Sequence, residues 1–502
     1  MAISRRKFLG SVISGIAATK AAGMFGEPLP QAASAITAPA IIRRKPRKNV
    51  LFIGVDDLAT QLGCYGRPVQ SPNLDRLAAR GVRFDAAYCQ FSLCCPSRSS
   101  LMTGLSPDIT HVHDNATHFR QALPNVVTLG QLFRENGYFS ARVGKIFHAG
   151  NPEEEGTDGL DDPMTWDWTY NPAGVDRYKE EPLITNFTPH RGLGSSIAFH
   201  RSKAPDNEIT DAIGAAQVIR LLKQPRQQPF FIAFGLYRPH VPWVVPEAYF
   251  DRYPMSGIQP YPFDPSELTI APPPAYWTQP PNFGMDIEQR KQAIQGYYAA
   301  TTFMDAQVGR VLHQLEASGL AENTLVVFWV DHGWQLGQHG QWMKQTLFEA
   351  ATRVPVIFAG AGVPSRGGVC RRTVENLDLY PTIASICDLE GIPTNLHGES
   401  LTPLLRDPAA EWSKPAITQV RRRKTKEDVR IDGYSIRDER YRYTWWNEGR
   451  EGEELYDYKT DPNELKNLAD DPAMKETKFR LHVALRSTTL ARGRMPLPRA
   501  KG

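Results

Sequence analysis

Three stretches of this chain run apolar almost without a break: Val50–Val55 (VLFIGV), Phe230–Leu236 (FFIAFGL) and Thr324–Val330 (TLVVFWV). A strand with one wet face alternates apolar and polar residues, so runs like these must be buried on both faces, as parallel strands covered by helices are. Shorter runs at Tyr138–Val143 and Pro355–Ala359 read the same way. Between them lie helical stretches. SPNLDRLAARGVRF opens with Ser71 as a cap and Pro72 at the first position, and its helix is expected to end at Gly81. QGYYAATTFMDAQVGRVLHQLEASGL is a second, longer helix. Alternating strands and helices predict an α/β fold: a large, mostly parallel sheet sandwiched by helices.

From Lys414 the pattern changes. GYSIRDERYRYTWW and EELYDYKTDP alternate as antiparallel strands do, which predicts a smaller C-terminal α+β subdomain over residues 412–492, after a main domain over 46–405. The aromatic residues Tyr434, Tyr441, Tyr443, Trp445 and Trp446 read as the core of that small sheet. The Pro-rich stretch 255–284 reads as an irregular surface excursion, and the basic run VRRRKTKED, 420–428, as a solvated loop; its alternative role is attraction of a polyanionic glycan. No internal repeat is present.

The first residues carry their own signal. Arg5 and Arg6 precede Phe8-Leu9 and a weakly apolar run, and Ala33 and Ala35 supply a small-residue cleavage site, so residues 1–35 are expected to be a twin-arginine export signal. That implies the twin-arginine translocase as a partner and a periplasmic or extracellular location. The formal charge is +4. Arg5, Arg6, Lys7 and Lys20 against Glu27 supply +3 of it, so the mature chain is near neutral and lacks the basic field that nucleic acid requires. No later run of about 18 apolar residues predicts a membrane span in the mature chain. Six cysteines, Cys64, Cys89, Cys94, Cys95, Cys370 and Cys387, are too few for a disulfide scaffold.

The chemistry gathers where the buried runs end. Asp56-Asp57 follow the first and Asp331-His332 follow the third, at carboxyl ends, where open α/β sheets place ligands. Paired acids at one strand end are often only a loop cap. Three carboxylates at one sheet edge, however, repel unless a cation sits among them, and an oxygen-rich set suits a hard divalent ion. His332 is the softer member. In CQFSLCCPSRSSLMTG, Pro96 fits the first turn of a helix, which leaves Cys94 at its positive end with Arg98 one turn on. A buried cysteine pair, a vicinal disulfide and a thiolate nucleophile all fit those residues. Lys145 and His148 in GKIFH stand three apart just past a strand, and His240 in YRPHVP follows another, in a loop stiffened by Pro239 and Pro242.

Cys94, Pro96, Ser97, Arg98, Thr103 and Gly104 form the CxPSR-x4-TG pattern, and on it the chain resembles the type I sulfatases of the alkaline phosphatase superfamily. NVLFIGVDDL, VGKIFHAG, YRPHVPW, VDHGWQLGQHGQWMK and ELYDYKTDPNELKNLA follow in the order that family shows. Asp-His at 331–332, where most sulfatases carry Asp-Asn, together with LGQHGQWMK, resembles the iduronate-2-sulfatase branch. The resemblance implies the alkaline phosphatase-like sulfatase fold and hydrolysis of sulfate esters on a sulfated oligo- or polysaccharide. It implies conversion of Cys94 to formylglycine by a formylglycine-generating maturation enzyme, and one Ca2+ held by Asp56, Asp57, modified Cys94, Asp331 and His332. The hydrated aldehyde would attack sulfur, and Arg98 would orient it. Lys145 and Lys344 would bind the sulfate, His148 would remove the proton of the remaining hydroxyl, and His240 would protonate the leaving group. His339 is left between shaping the pocket and plain packing. The competing functions are a phosphomono- or phosphodiesterase of the same superfamily and an inactive glycan-binding relic.

Overall fold

A computed structural model describes residues 47–424 and 429–496. The export signal expected at 1–35 and residues 425–428 of the basic run lie outside the described residues. The main sheet has eight strands in the order 368–375, 81–88, 353–360, 324–330, 49–55, 230–236, 139–144 and 168–170. Only 353–360 runs against its two neighbours; the other strand pairs are parallel. The strand Asn49–Val55 lies at the centre with every residue buried, which is why it carries no alternation.

Register decides where the chemistry goes. Val55 pairs with Leu236 on one side and Val330 on the other, and Gly144 pairs with Gly235. Three strands therefore end level and the fourth one residue short, and the residues that follow them, Asp56, Tyr237, Asp331 and Lys145, emerge at one edge. Gly54 keeps this centre closed: a Cβ there would lie 2.5 Å from Cζ2 of Trp329, whose ring stacks on Phe52 at 5.1 Å. The 31-residue helix Ile287–Ala317 starts with a capping box between Asp286 and Gln289. Its Tyr297 hydroxyl accepts from the Ala59 N–H and donates to the Asp57 carbonyl, both at 2.9 Å, tying the helix to the loop beyond the central strand.

Four local expectations are corrected. Ser71 does sit at the N-cap of Pro72–Ala79, but its hydroxyl accepts from the Gly63 N–H at 2.8 Å and donates to Asp75 at 3.0 Å instead of capping the helix. That helix ends at Ala79, and Gly81 opens the next strand, where a Cβ would lie 2.0 Å from the Phe358 carbonyl. The Pro-rich stretch is not a mere surface excursion: Ala271, Ala275 and Tyr276 are buried in a cluster with Leu93, Leu347 and Trp446, and the Trp277 and Thr278 N–H groups donate to the Gln341 side chain at 2.7 and 2.8 Å. The basic run begins as strand, not loop, with Arg421 paired to Asp432 and Arg422 buried.

The second sheet is antiparallel, with strands 416–424, 429–437, 441–446 and 453–457 in chain order. Tyr434, Tyr443 and Trp445 are buried in it with Leu481 and Leu485 of the helix Lys475–Ala491, and Trp446 is buried in the cluster of the Pro-rich stretch. Its first strand is fastened to the main domain by Gln419 N–H to the Gln90 carbonyl at 2.9 Å and by the Thr418 hydroxyl to the Cys89 carbonyl at 2.6 Å. Past the last helix, Arg492 forms a two-pronged ion pair with Glu375 at 2.8 and 2.6 Å. The Arg492 guanidinium and Lys414 hold the buried Glu375 carboxyl down to about 2. Removing one member of a buried pair strands the other's charge. Arg492→Met is therefore expected to destabilise the protein by about 3 kcal/mol, read from chemical denaturation midpoints at unchanged slope.

Candidate active site

The helix Cys94–Thr103 places the Cys94 side chain at its N-terminal turn, under the level strand ends. The Cys94 sulfur lies 3.3 Å from Asp56 Oδ1, 3.2 Å from His332 Nε2 and 3.2 Å from Lys344 Nζ. Each of these side chains is buried. Burial, aided by the Asp56 carboxylate, pushes the thiol well above its ordinary range, and all six cysteines are free. The vicinal disulfide left open by the residues alone does not fit an unbridged Cys94.

Three cations and three carboxylates interleave around it. Lys145 Nζ lies 2.5 Å from Asp56 Oδ2, and Lys344 Nζ lies 2.7 Å from Asp57 Oδ1. Arg98 is fully buried: its Nε donates to Asp331 Oδ2 at 2.9 Å, and its Nη1 donates to the Lys145 and Ile146 carbonyls at 2.8 and 3.0 Å. This guanidinium fixes Asp331 and the start of the GKIFH loop together. Ser97 adds a hydroxyl bond to the Asp331 carbonyl at 2.5 Å. Burial pushes Asp57 up to about 7 against the pull of Lys344, whereas Lys145 and Arg98 overcome burial at Asp56 and hold it well below the usual carboxylate range.

The donors also test whether a metal fits. Ligand atoms of Asp56, Asp57, Cys94 and His332 all lie within 4.8 Å of one another. Asp57 Oδ2 is buried with no hydrogen-bond partner among the described residues. His332 Nδ1 donates to the Gly333 carbonyl at 3.0 Å, which leaves Nε2 as a lone pair facing Asp57 Oδ1 at 3.4 Å. Burial holds His332 well below its ordinary value and so neutral, as a ligand must be. A cation fits this set. Asp331 is not one of the four; its Oδ1 accepts the Asp57 and His332 N–H groups at 3.2 and 2.9 Å. Two carboxylates suit a hard ion, and the thiol is the misfit that an oxygen at position 94 would remove.

His240 brings Nε2 to 3.6 Å from Asp57 Oδ2, while its Nδ1 lies 2.6 Å from the Val241 carbonyl. His148 is buried with Nδ1 unpartnered among the described residues. Burial depresses both histidines well below the usual value, with Lys145 adding to it at His148 and Lys344 at His240. His339 lies elsewhere, 3.2 Å from Glu267 and stacked on Phe348, so it packs the Pro-rich stretch. The support beneath His240 was not visible in the sequence. Arg238 is buried between Asp176 at 2.7 Å and Glu155 at 3.4 Å, and Asn151 Nδ2 sits 3.2 Å from His240 Nδ1 and donates to the Val241 carbonyl at 2.8 Å. Burial raises Glu155 to about 8.

The Sulfatase family model matches residues 48–389, and the model described as N-sulphoglucosamine sulphohydrolase, C-terminal, matches 337–490. The chain is 33% identical over 446 residues to a sulfatase of Formosa agariphila, covering 85% of this chain and 83% of that one. It is 33% identical over 476 residues to iduronate 2-sulfatase of Homo sapiens, covering 79% and 84%. Among solved structures, the phosphonate monoester hydrolase of Agrobacterium radiobacter superposes with a TM-score of 0.72 at 23% identity, over 89% of this chain and 96% of that one, a likeness of fold alone.

Proposed function

The chain belongs to the sulfatase family and is a sulfuric ester hydrolase, and from that premise we propose that it removes sulfate from a sulfated glycan, iduronate-2-sulfatase-like, using formylglycine at position 94 and one Ca2+. The observation that carries this reading is the Cys94 side chain itself, at a helix N-terminus, touching a lysine, a histidine and a carboxylate within 3.3 Å.

Asp56, Asp57, His332 and the converted residue 94, whose ligand atoms cluster, would hold the ion, joined by Asp331, whose Oδ2 lies 3.5 Å from His332 Nε2 although Arg98 also holds it; the ion would supply Lewis-acid polarisation of a sulfate oxygen. The hydrated aldehyde would supply one hydroxyl for attack and keep a second from which a proton can later be removed. The chain's own residues do the rest. A sulfate monoester is an anion, and Lys145 Nζ and Lys344 Nζ offset its charge from two sides of residue 94. Arg98 works from below, locking Asp331 and the Lys145 carbonyl so that acceptor and cation stay in register. His240 Nδ1 donates to the Val241 carbonyl, which leaves Nε2 to face the leaving-group oxygen; because burial keeps the imidazole neutral, Nε2 must first take up a proton from the entering substrate or solvent before it gives one to that oxygen. His148, neutral and with Nδ1 unshared, accepts a proton at residue 94.

Residues 46–405 form the catalytic domain and 412–492 the C-terminal subdomain. Residues 1–35 direct twin-arginine export to the periplasm or beyond, after a formylglycine-generating enzyme has acted in the cytoplasm. No helix among the described residues is long and apolar enough to cross a membrane. A second reading, phosphate-ester hydrolysis, draws on the fold shared with a phosphonate monoester hydrolase. Parallel assays of the matured chain on an aryl sulfate and an aryl phosphate separate the two. Sulfate release is expected to be the faster by at least about tenfold, to fall on chelation and to return with calcium; faster phosphate release would overturn the reading.

A further inference from the structure

Lys344 stands on an awkward piece of backbone. Met343 and Gln345, on either side of it, both have φ of 69°, in the left-handed region that side chains other than glycine rarely occupy. Such strain persists only when surrounding groups over-determine it. Two of those groups come from the segment just before Cys94: the Ser92 carbonyl accepts the Gln345 N–H at 3.0 Å, and the Ser92 hydroxyl donates to the Thr346 carbonyl at 2.8 Å. A third comes from the other sheet. Arg422, on the strand Ala416–Lys424, donates through Nη2 to the Gln345 carbonyl and through Nε to the Pro274 carbonyl at 3.1 Å.

Arg422 is unusual among the buried arginines. Arg98, Arg238 and Arg442 each meet carboxylates, whereas no carboxylate lies within ion-pair distance of Arg422 among the described residues. Its guanidinium instead rests over the rings of Trp277 at 5.2 Å and Trp446 at 5.5 Å, and Nη1 has no partner among the described residues. Burial lowers it to about 9, so it remains charged at neutral pH. A packing role would be filled more cheaply by an apolar side chain. What the guanidinium alone supplies is a charge-assisted grip on the carbonyl next to Lys344.

We propose that Arg422 is a positioning residue for the sulfate-binding lysine: by holding the Gln345 carbonyl it fixes the strained 343–345 turn and aims Lys344 Nζ at residue 94, so that the C-terminal sheet completes the active site. The inference rests on the proposed role of Lys344 in sulfate binding, and it assigns to the C-terminal subdomain a mechanical part in that step.

A double-mutant cycle on the matured full-length chain tests it, with kcat/KM on an aryl sulfate as the readout. Arg422→Gln is expected to lose about 30-fold, a loss in the range that misplacement of a binding group by an ångström produces. In a Lys344→Ala background the same change is expected to cost less than about 2-fold, because the residue it positions is gone. Arg422→Lys retains a charged donor and is expected to lose about 5-fold, again only when Lys344 is present. It also serves if the glutamine variant does not fold. Equal losses in both backgrounds mark Arg422 as merely structural and overturn the inference. So does wild-type activity in Arg422→Gln beside a crippled Lys344→Ala, while the sulfatase reading stands. A matured wild-type chain that leaves aryl sulfate untouched overturns both.

Discussion

Cys94→Ala is expected to leave a folded protein whose sulfate release is at least about 10^4-fold below wild type, the scale on which loss of a catalytic nucleophile registers. The side chain is small and buried, and its sulfur touches polar groups, Asp56, His332 and Lys344, more than core. Removing it creates little cavity and is expected to cost about 1 kcal/mol of stability or less. A thermal midpoint within a few degrees of wild type, alongside the lost activity, separates chemistry from folding. Activity above about 1% of wild type in the alanine variant would place the nucleophile elsewhere.

Lys145→Ala is the second large effect. Its ammonium is fully buried and 2.5 Å from Asp56 Oδ2, so its charge acts in a low dielectric where it counts for far more than at the surface. Removing one preorganised group facing a developing or bound anion costs about 10²–10³-fold, and kcat/KM on aryl sulfate is expected to fall by that much. The lysine also opposes the charge that would hold a cation, because it competes for Asp56. Calcium affinity, read by titration, is therefore expected to hold or strengthen in the variant. Weaker calcium binding together with the lost activity would make Lys145 a prop of the metal site instead of a sulfate contact.

How much of this was legible in the sequence depends on whether a residue's role is written locally. The strands 49–55, 230–236 and 324–330 are continuous apolar runs because both faces are covered, so composition alone exposes them. Their carboxyl ends then point to Asp56, Asp57, Asp331, His332 and His240 with no long-range knowledge. What periodicity does not carry is which strands are neighbours. The level ending of Val55, Leu236 and Val330 follows from register across residues as far apart as positions 55 and 330. Buried charge defeats the reading in a different way. Glu155, Arg238 and Arg422 look like surface residues because their partners are distant in sequence: Glu155 and Asp176 both meet Arg238, and Arg422 meets the Gln345 carbonyl. Gly81 misled for a third reason: a glycine two residues beyond a helix looks like its terminator, and only the neighbouring strand shows that the missing Cβ makes room for the Phe358 carbonyl.

Sulfate hydrolysis here depends on one covalent change, and the mass of the tryptic peptide Phe84–Arg98, taken from protein made alongside working maturation machinery, reads it directly. Replacing the thiol by an aldehyde lowers that mass by about 18 Da, and the fragment ions should assign the loss to position 94 and not to Cys89 or Cys95. A peptide of unaltered mass, from a preparation that nonetheless hydrolyses sulfate esters, would contradict it.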